Sequence, residues 1–142
     1  MSTIVSATTR SIGRGQGKRA KFIGRSSVLL REAMQHYRDA NYADALECAY
    51  QAALRAAGAY IASSPVATRR RRPTGAWKQL ALVDSTGKQW ADVFSTYSRM
   101  RSRVMTGLDS EVSATVVKEL LMQVEEFLDV VESADQGGAL AA

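Results

Sequence analysis

Apolar residues recur at three- and four-residue spacings through most of the chain, the mark of helices that bury one stripe. A first helix is predicted from Ser26 or Ser27, either able to cap it, to about residue 40. Its stripe is Val28, Leu29, Ala33, Met34 and Tyr37. A second, over 42–62, carries Ala45, Leu46, Ala49, Ala52, Ala53, Ala56 and Tyr60 on one face. So many alanines favour the helix and let a neighbour approach closely. Pro65 ends this unit, because proline cannot continue a helix. A short third helix after Thr74 holds Trp77, Leu80 and Ala81. A fourth spans about 86–106 with Trp90, Val93, Phe94, Tyr97 and Val104. The fifth begins near Ser113, and Val117, Leu120, Leu121, Val124, Phe127, Leu128 and Val131 give it the clearest amphipathic pattern. No stretch alternates as a strand would. The expected fold is all-α: an antiparallel bundle of four longer helices and one short one.

The two ends read differently. Residues 1–25 are rich in Gly, Ser, Thr and Arg without a helical period, and are expected to form a flexible, disordered basic tail. The bundle then occupies 26–135, and 136–142 is expected to fray. Within the tail, Gly13-Arg14-Gly15-Gln16-Gly17-Lys18-Arg19 looks superficially like a phosphate loop. It lacks the Ser or Thr after Lys and the preceding strand, so it does not specify a fixed phosphate cradle.

Charge sharpens this division. The net charge is +5 over 142 residues. Residues 1–25 contain six cations and no acid, and residues 63–83 contain Arg69, Arg70, Arg71, Arg72 and Lys78 and no acid. Residues 109–142 hold eight acids and one lysine. Four adjacent guanidiniums repel one another, so 69–72 should be exposed and extended. Arginine suits phosphate, and the expected partner is RNA or another polyanion. The candidate contacts are Arg69, Arg70, Arg71 and Arg72, with Lys18 and Arg19 from the tail. Solvation alone, or an acidic protein partner, would account for the same charges.

Candidate chemistry is sparse. The chain has one cysteine, Cys48, and His36 is its one histidine. No disulfide within the chain, Cys-rich zinc site or other metal centre is expected, and no cofactor. Cys48 lies among alanines and reads as a small apolar residue. The acids Glu125, Glu126 and Asp129 fall on the polar side of the last helix. Arg31 and His36 form the one weak catalytic candidate, but five residues on a helix turn them about 140° apart. No apolar run has the length of a membrane span. A cytoplasmic protein is expected, in keeping with a single free thiol.

The helix pair over 30–62, with Tyr42-Ala43-Asp44-Ala45-Leu46 and Ala49-Tyr50-Gln51-Ala52-Ala53-Leu54-Arg55-Ala56-Ala57, resembles the opening of the HEPN superfamily. The element Arg70-Arg71-Arg72-Pro73-Thr74-Gly75-Ala76-Trp77, followed by two amphipathic helices, is similar to a small actinobacterial branch of it. The resemblance covers about 27–133. It implies a small helical domain associated with nucleotide and RNA biology. Nuclease members carry Arg-x(4–6)-His late in the bundle, generally at a dimer interface. Here that spacing occurs only at Arg31 and His36, in the first helix, and the later helices hold no histidine. The resemblance therefore implies a non-catalytic member that binds nucleic acid or nucleotide. A ribonuclease using Arg31 and His36 is the alternative from the enzyme class. A homodimeric or protein-interaction module joined through its helical faces is the third. One tetratricopeptide unit looks similar to the helix pair, but nothing after residue 65 repeats it, and solenoids need about three repeats.

Overall fold

The computed structural model describes the backbone of residues 7–108 and 111–141, with the side chains of 15–108 and 111–134. Five α-helices follow in order: α1 Ala7–Arg38, α2 Tyr42–Ala62, α3 Ala76–Ala81, α4 Ser85–Met105 and α5 Ala114–Ala141. A 3₁₀ turn, Pro65–Thr68, lies between α2 and α3. No strand occurs among the described residues. The bundle of four long helices and one short one is the expected architecture.

The main correction is at the N-terminus. Residues 7–25, expected within a tail without secondary structure, are the first half of α1. The reason lies in which residues face inward. Arg19, Phe22, Ser26, Leu29, Leu30 and Ala33 recur at helical spacing. Two of these positions are polar, Arg19 at 9% exposure and Ser26 at 0%. Each burial is matched by a hydrogen bond, as it must be. Arg19 Nη2 donates to the Val131 carbonyl at 2.6 Å, and Ser26 Oγ donates to the Ala52 carbonyl at 2.8 Å. An apolar-stripe reading misses a helix whose inward face is partly polar. The expected tail over 1–6 lies outside the described residues. At the other end α5 continues through residues 136–141, expected to fray, and Ala142 lies outside the described residues.

The central helix is α2. Its alanines at 45, 49, 52, 53, 56, 57 and 59 are fully buried, and α1, α3, α4 and α5 all pack around it. Small side chains allow this crowding, and Gly58 takes it furthest: a Cβ there would meet the Phe22 ring at 3.0 Å. Phe94 and Phe127, both 0% exposed, lie at the centre of an aromatic cluster between α4 and α5, 5.3 Å apart. Trp77 and Trp90 border this cluster and remain half-buried. Trp77 turns its indole N–H to the Tyr50 hydroxyl at 2.9 Å, while its ring stacks on Phe94 at 5.2 Å.

Local sequence sets the helix ends. At the end of α1 the Asn41 N–H reaches the His36 carbonyl and the Ala40 N–H reaches Tyr37. This is a Schellman closure with Ala40 in the left-handed region, φ 62°. The end of α4 closes in the same way through Gly107, φ 77°. Asp84 caps α4, its Oδ1 accepting from the Gly87 N–H at 2.7 Å. Ser113 Oγ accepts from the Val116 N–H at the start of α5, as its position suggested. Asn41 and Gly75 precede α2 and α3 without side-chain caps.

Candidate nucleic-acid interface

The two basic segments of the sequence meet in one cleft. Lys18 and Phe22 stand one turn apart on α1 and therefore share a face. With Leu54, Gly58 and Ile61 of α2 and with Arg72, they line a cavity of about 360 Å³. Gly75, just before α3, and Gln79 within it add to the lining near Arg72. The floor is apolar and the cations are exposed at its edge. Among the described residues, no acidic side chain lines it.

The chain positions Arg72 through its backbone. The connection after Thr68 is extended at Arg69, ψ 137°. It turns at Gly75, whose φ of 99° is natural to a residue without Cβ. Gln79 Nε2 donates to the Pro73 carbonyl at 2.9 Å, tying the connection to α3 one residue after Arg72. Arg69, Arg70 and Arg71 are exposed on the same connection.

Not every candidate converges. Arg19 points inward to Val131 and borders a different cavity, of about 580 Å³. Three more polar side chains that line that second cavity, Tyr60, Ser64 and Asp84, are engaged with one another or with backbone. Tyr60 donates to Asp84 Oδ2 at 2.7 Å, and Ser64 Oγ donates to the Ile61 carbonyl. Burial, then the hydrogen bond and charge of Asp84, push the Tyr60 hydroxyl up to about 12. Arg31 is exposed and His36 half-buried near the end of α1, and neither lines either cavity.

Arg101 of α4 grips Glu47 of α2 through Nε at 2.5 Å and Nη2 at 2.8 Å. Its guanidinium also lies 5.0 Å over the Tyr50 ring. The Arg101 hydrogen bond holds the Glu47 carboxyl below the usual carboxylate range. Burial, followed by the carboxylates of Glu32, Asp44 and Glu47, raises the Cys48 thiol, which suppresses its thiolate. Among the described residues, no group of three His, Cys, Asp or Glu could hold a metal ion. No helix among them is long and apolar enough to cross a membrane.

Sequence reasoning singled out Lys18 and Arg72 but missed Phe22, Leu54 and Gly58 as their neighbours. The Lys18–Phe22 spacing was a usable signal, hidden by reading residues 1–25 as a tail. No curated protein and no solved structure matches the chain. A family model, SAV_6107-like HEPN, matches residues 35–132, most of the bundle, starting after the part of α1 that carries Lys18 and Phe22. The chain is therefore a member of the HEPN superfamily, in its SAV_6107-like family.

Proposed function

We propose that this HEPN domain is non-catalytic and binds nucleic acid or nucleotide through its basic segments, in the cytoplasm. The observation that carries the reading is the placement of Lys18 and Arg72 around one cleft whose described lining residues include no acid. These cations come from segments 54 residues apart in sequence, and their convergence makes a compact positive site on an apolar floor. Phosphate supplies the charge such a site needs, and Arg69, Arg70 and Arg71 extend it along the connection. A non-catalytic role is favoured by the late helices, which contain no histidine, and by the separation of Arg31 and His36 from the cleft.

The test is fluorescence polarisation with a labelled single-stranded RNA across a salt series. Binding is expected at low salt, with affinity falling as salt rises. Replacing Lys18 and Arg72 with Ala together should weaken binding and flatten the salt dependence, by about 0.7 in log–log slope for each phosphate no longer neutralised. The RNA should remain intact throughout. Absence of binding at low salt would refute the proposal. RNA cleavage abolished by His36→Ala would replace it with the ribonuclease reading.

A further inference from the structure

The cleft offers more than charge. Among the described residues Phe22 is the one aromatic side chain in its lining, and it is half-buried. One face of the ring packs over Gly58, where an added Cβ would come within 3.0–3.1 Å of Cδ1, Cε1 and Cζ, so the opposite face is the one left for a ligand. Ring and glycine therefore support each other, and the ring is backed by α2 while bordering the cavity. Lys18 stands one turn before it on α1, with Arg72 on the opposing connection.

We infer that this cleft takes one unpaired base of a single-stranded nucleic acid, stacked on Phe22, with the flanking phosphates on Lys18 and Arg72. This inference rests on the binding function proposed above and specifies its ligand. Base stacking on an aromatic ring tolerates any sequence, because every base has a π-face. A duplex keeps its bases paired and cannot supply one to the cleft without opening. A strand is favoured over a free nucleotide by the cations beyond the cleft. Lys18, Lys21 and Arg25 are exposed and follow one another at three- and four-residue spacing, a row about 10 Å long on α1. A free nucleotide in the cleft would leave Lys21 and Arg25 unused, whereas a strand leaving it can follow them.

Phe22→Leu is the informative variant, since it keeps an apolar side chain against Gly58 and every cation in place. Binding of the full-length chain is measured by polarisation at one low salt concentration, and again across a salt series for the slope. The probes are a short oligoadenylate, an abasic strand of the same length, a hairpin duplex and adenosine monophosphate as competitor. The wild type should bind the oligoadenylate about fivefold or more tightly than the abasic strand or the duplex. Phe22→Leu should lose that preference while binding the abasic strand as the wild type does, with an unchanged salt slope. Equal wild-type affinity for base-containing and abasic strands would overturn the stacking site, whether or not the variant folds. So would a Phe22→Leu protein that retains the preference. Competition by the mononucleotide at the strand's own affinity would overturn the strand as occupant. In each case strand binding itself would persist and the broader function would stand, whereas failure of the wild type to bind any probe would remove both.

Discussion

Arg19 on α1 reaches Val131 on α5, Nη2 donating to the carbonyl oxygen at 2.6 Å across 112 residues of sequence. This bond closes one end of the bundle. A buried guanidinium loses its hydration and depends on its acceptors, so its removal leaves unfilled space and a poorly satisfied carbonyl. Arg19→Ala should cost about 1–3 kcal/mol in urea unfolding. Deleting residues 1–25 should cost more, since it also removes Phe22 and Ile23 from their packing against the core. A truncated chain that melted like the full one would show that the first half of α1 contributes nothing to the fold.

The pair between Glu47 and Arg101 predicts a pH effect with a definite sign. Arg101 depresses the Glu47 carboxyl from its ordinary value of 4.5 in the folded chain. The unfolded state therefore binds more protons in that range, and the contribution is fully present above 4.5 and lost as pH falls through the lower native value. The Glu47 side chain is 40% exposed, so solvent screening keeps the gain small. Glu47→Gln should be destabilised by about 0.5–1 kcal/mol at pH 7. The difference from wild type should shrink toward zero in strong acid, as read from paired urea titrations. A difference that persisted in acid would assign the loss to geometry rather than charge.

Two backbone positions make opposite predictions. Gly87 on α4 packs so closely on the end of α3 that a Cβ would meet the Leu80 carbonyl oxygen at 2.3 Å. That neighbour is backbone and cannot rotate away, so Gly87→Ala should cost about 1–3 kcal/mol. Ala40 holds a left-handed conformation that L-residues adopt at a cost, φ 62°. Gly107 fills the equivalent place after α4. Ala40→Gly should therefore stabilise the chain, by about 0.5–1 kcal/mol. Thermal melting of the two variants should move in opposite directions.

The sequence pattern carried four of the five helices because their inward faces are apolar. Leu120, Val124, Phe127 and Val131 declare α5 directly, and all are at or below 1% exposure. The first half of α1 stayed hidden because its inward positions include Arg19 and Ser26, while its glycines at 13, 15, 17 and 24 lower helix propensity. Their burial depends on the Val131 and Ala52 carbonyls, partners that only the assembled bundle supplies. The site was legible to the same degree. The charge of Lys18 and Arg72 marked both as candidates, but their meeting required α1 to extend back past residue 18. Arg19, adjacent to Lys18 and chemically similar, goes to the interior because one helical step turns it about 100° away.

The Tyr60 hydroxyl donates to Asp84 Oδ2 while Asp84 Oδ1 accepts from the Gly87 N–H. One carboxylate thus joins the end of α2 to the start of α4. Burial and Asp84 disfavour the phenolate, raising Tyr60 from 10.0 to about 12. Between those values the folded chain holds a proton that the unfolded chain has released. The stability this supplies is fully present below pH 10 and declines as pH rises toward 12. Tyr60→Phe should flatten the alkaline loss of stability, at the cost of one hydrogen bond, about 0.5–1.5 kcal/mol at neutral pH. Asp84→Asn keeps an oxygen for the cap but removes the charge, so the Tyr60 titration should shift downward while α4 remains capped. Phenolate absorbance followed through the alkaline range, compared with Tyr60→Phe to isolate this residue, measures the shift. An unchanged titration in Asp84→Asn would assign the displacement to burial alone and remove the carboxylate's electrostatic role.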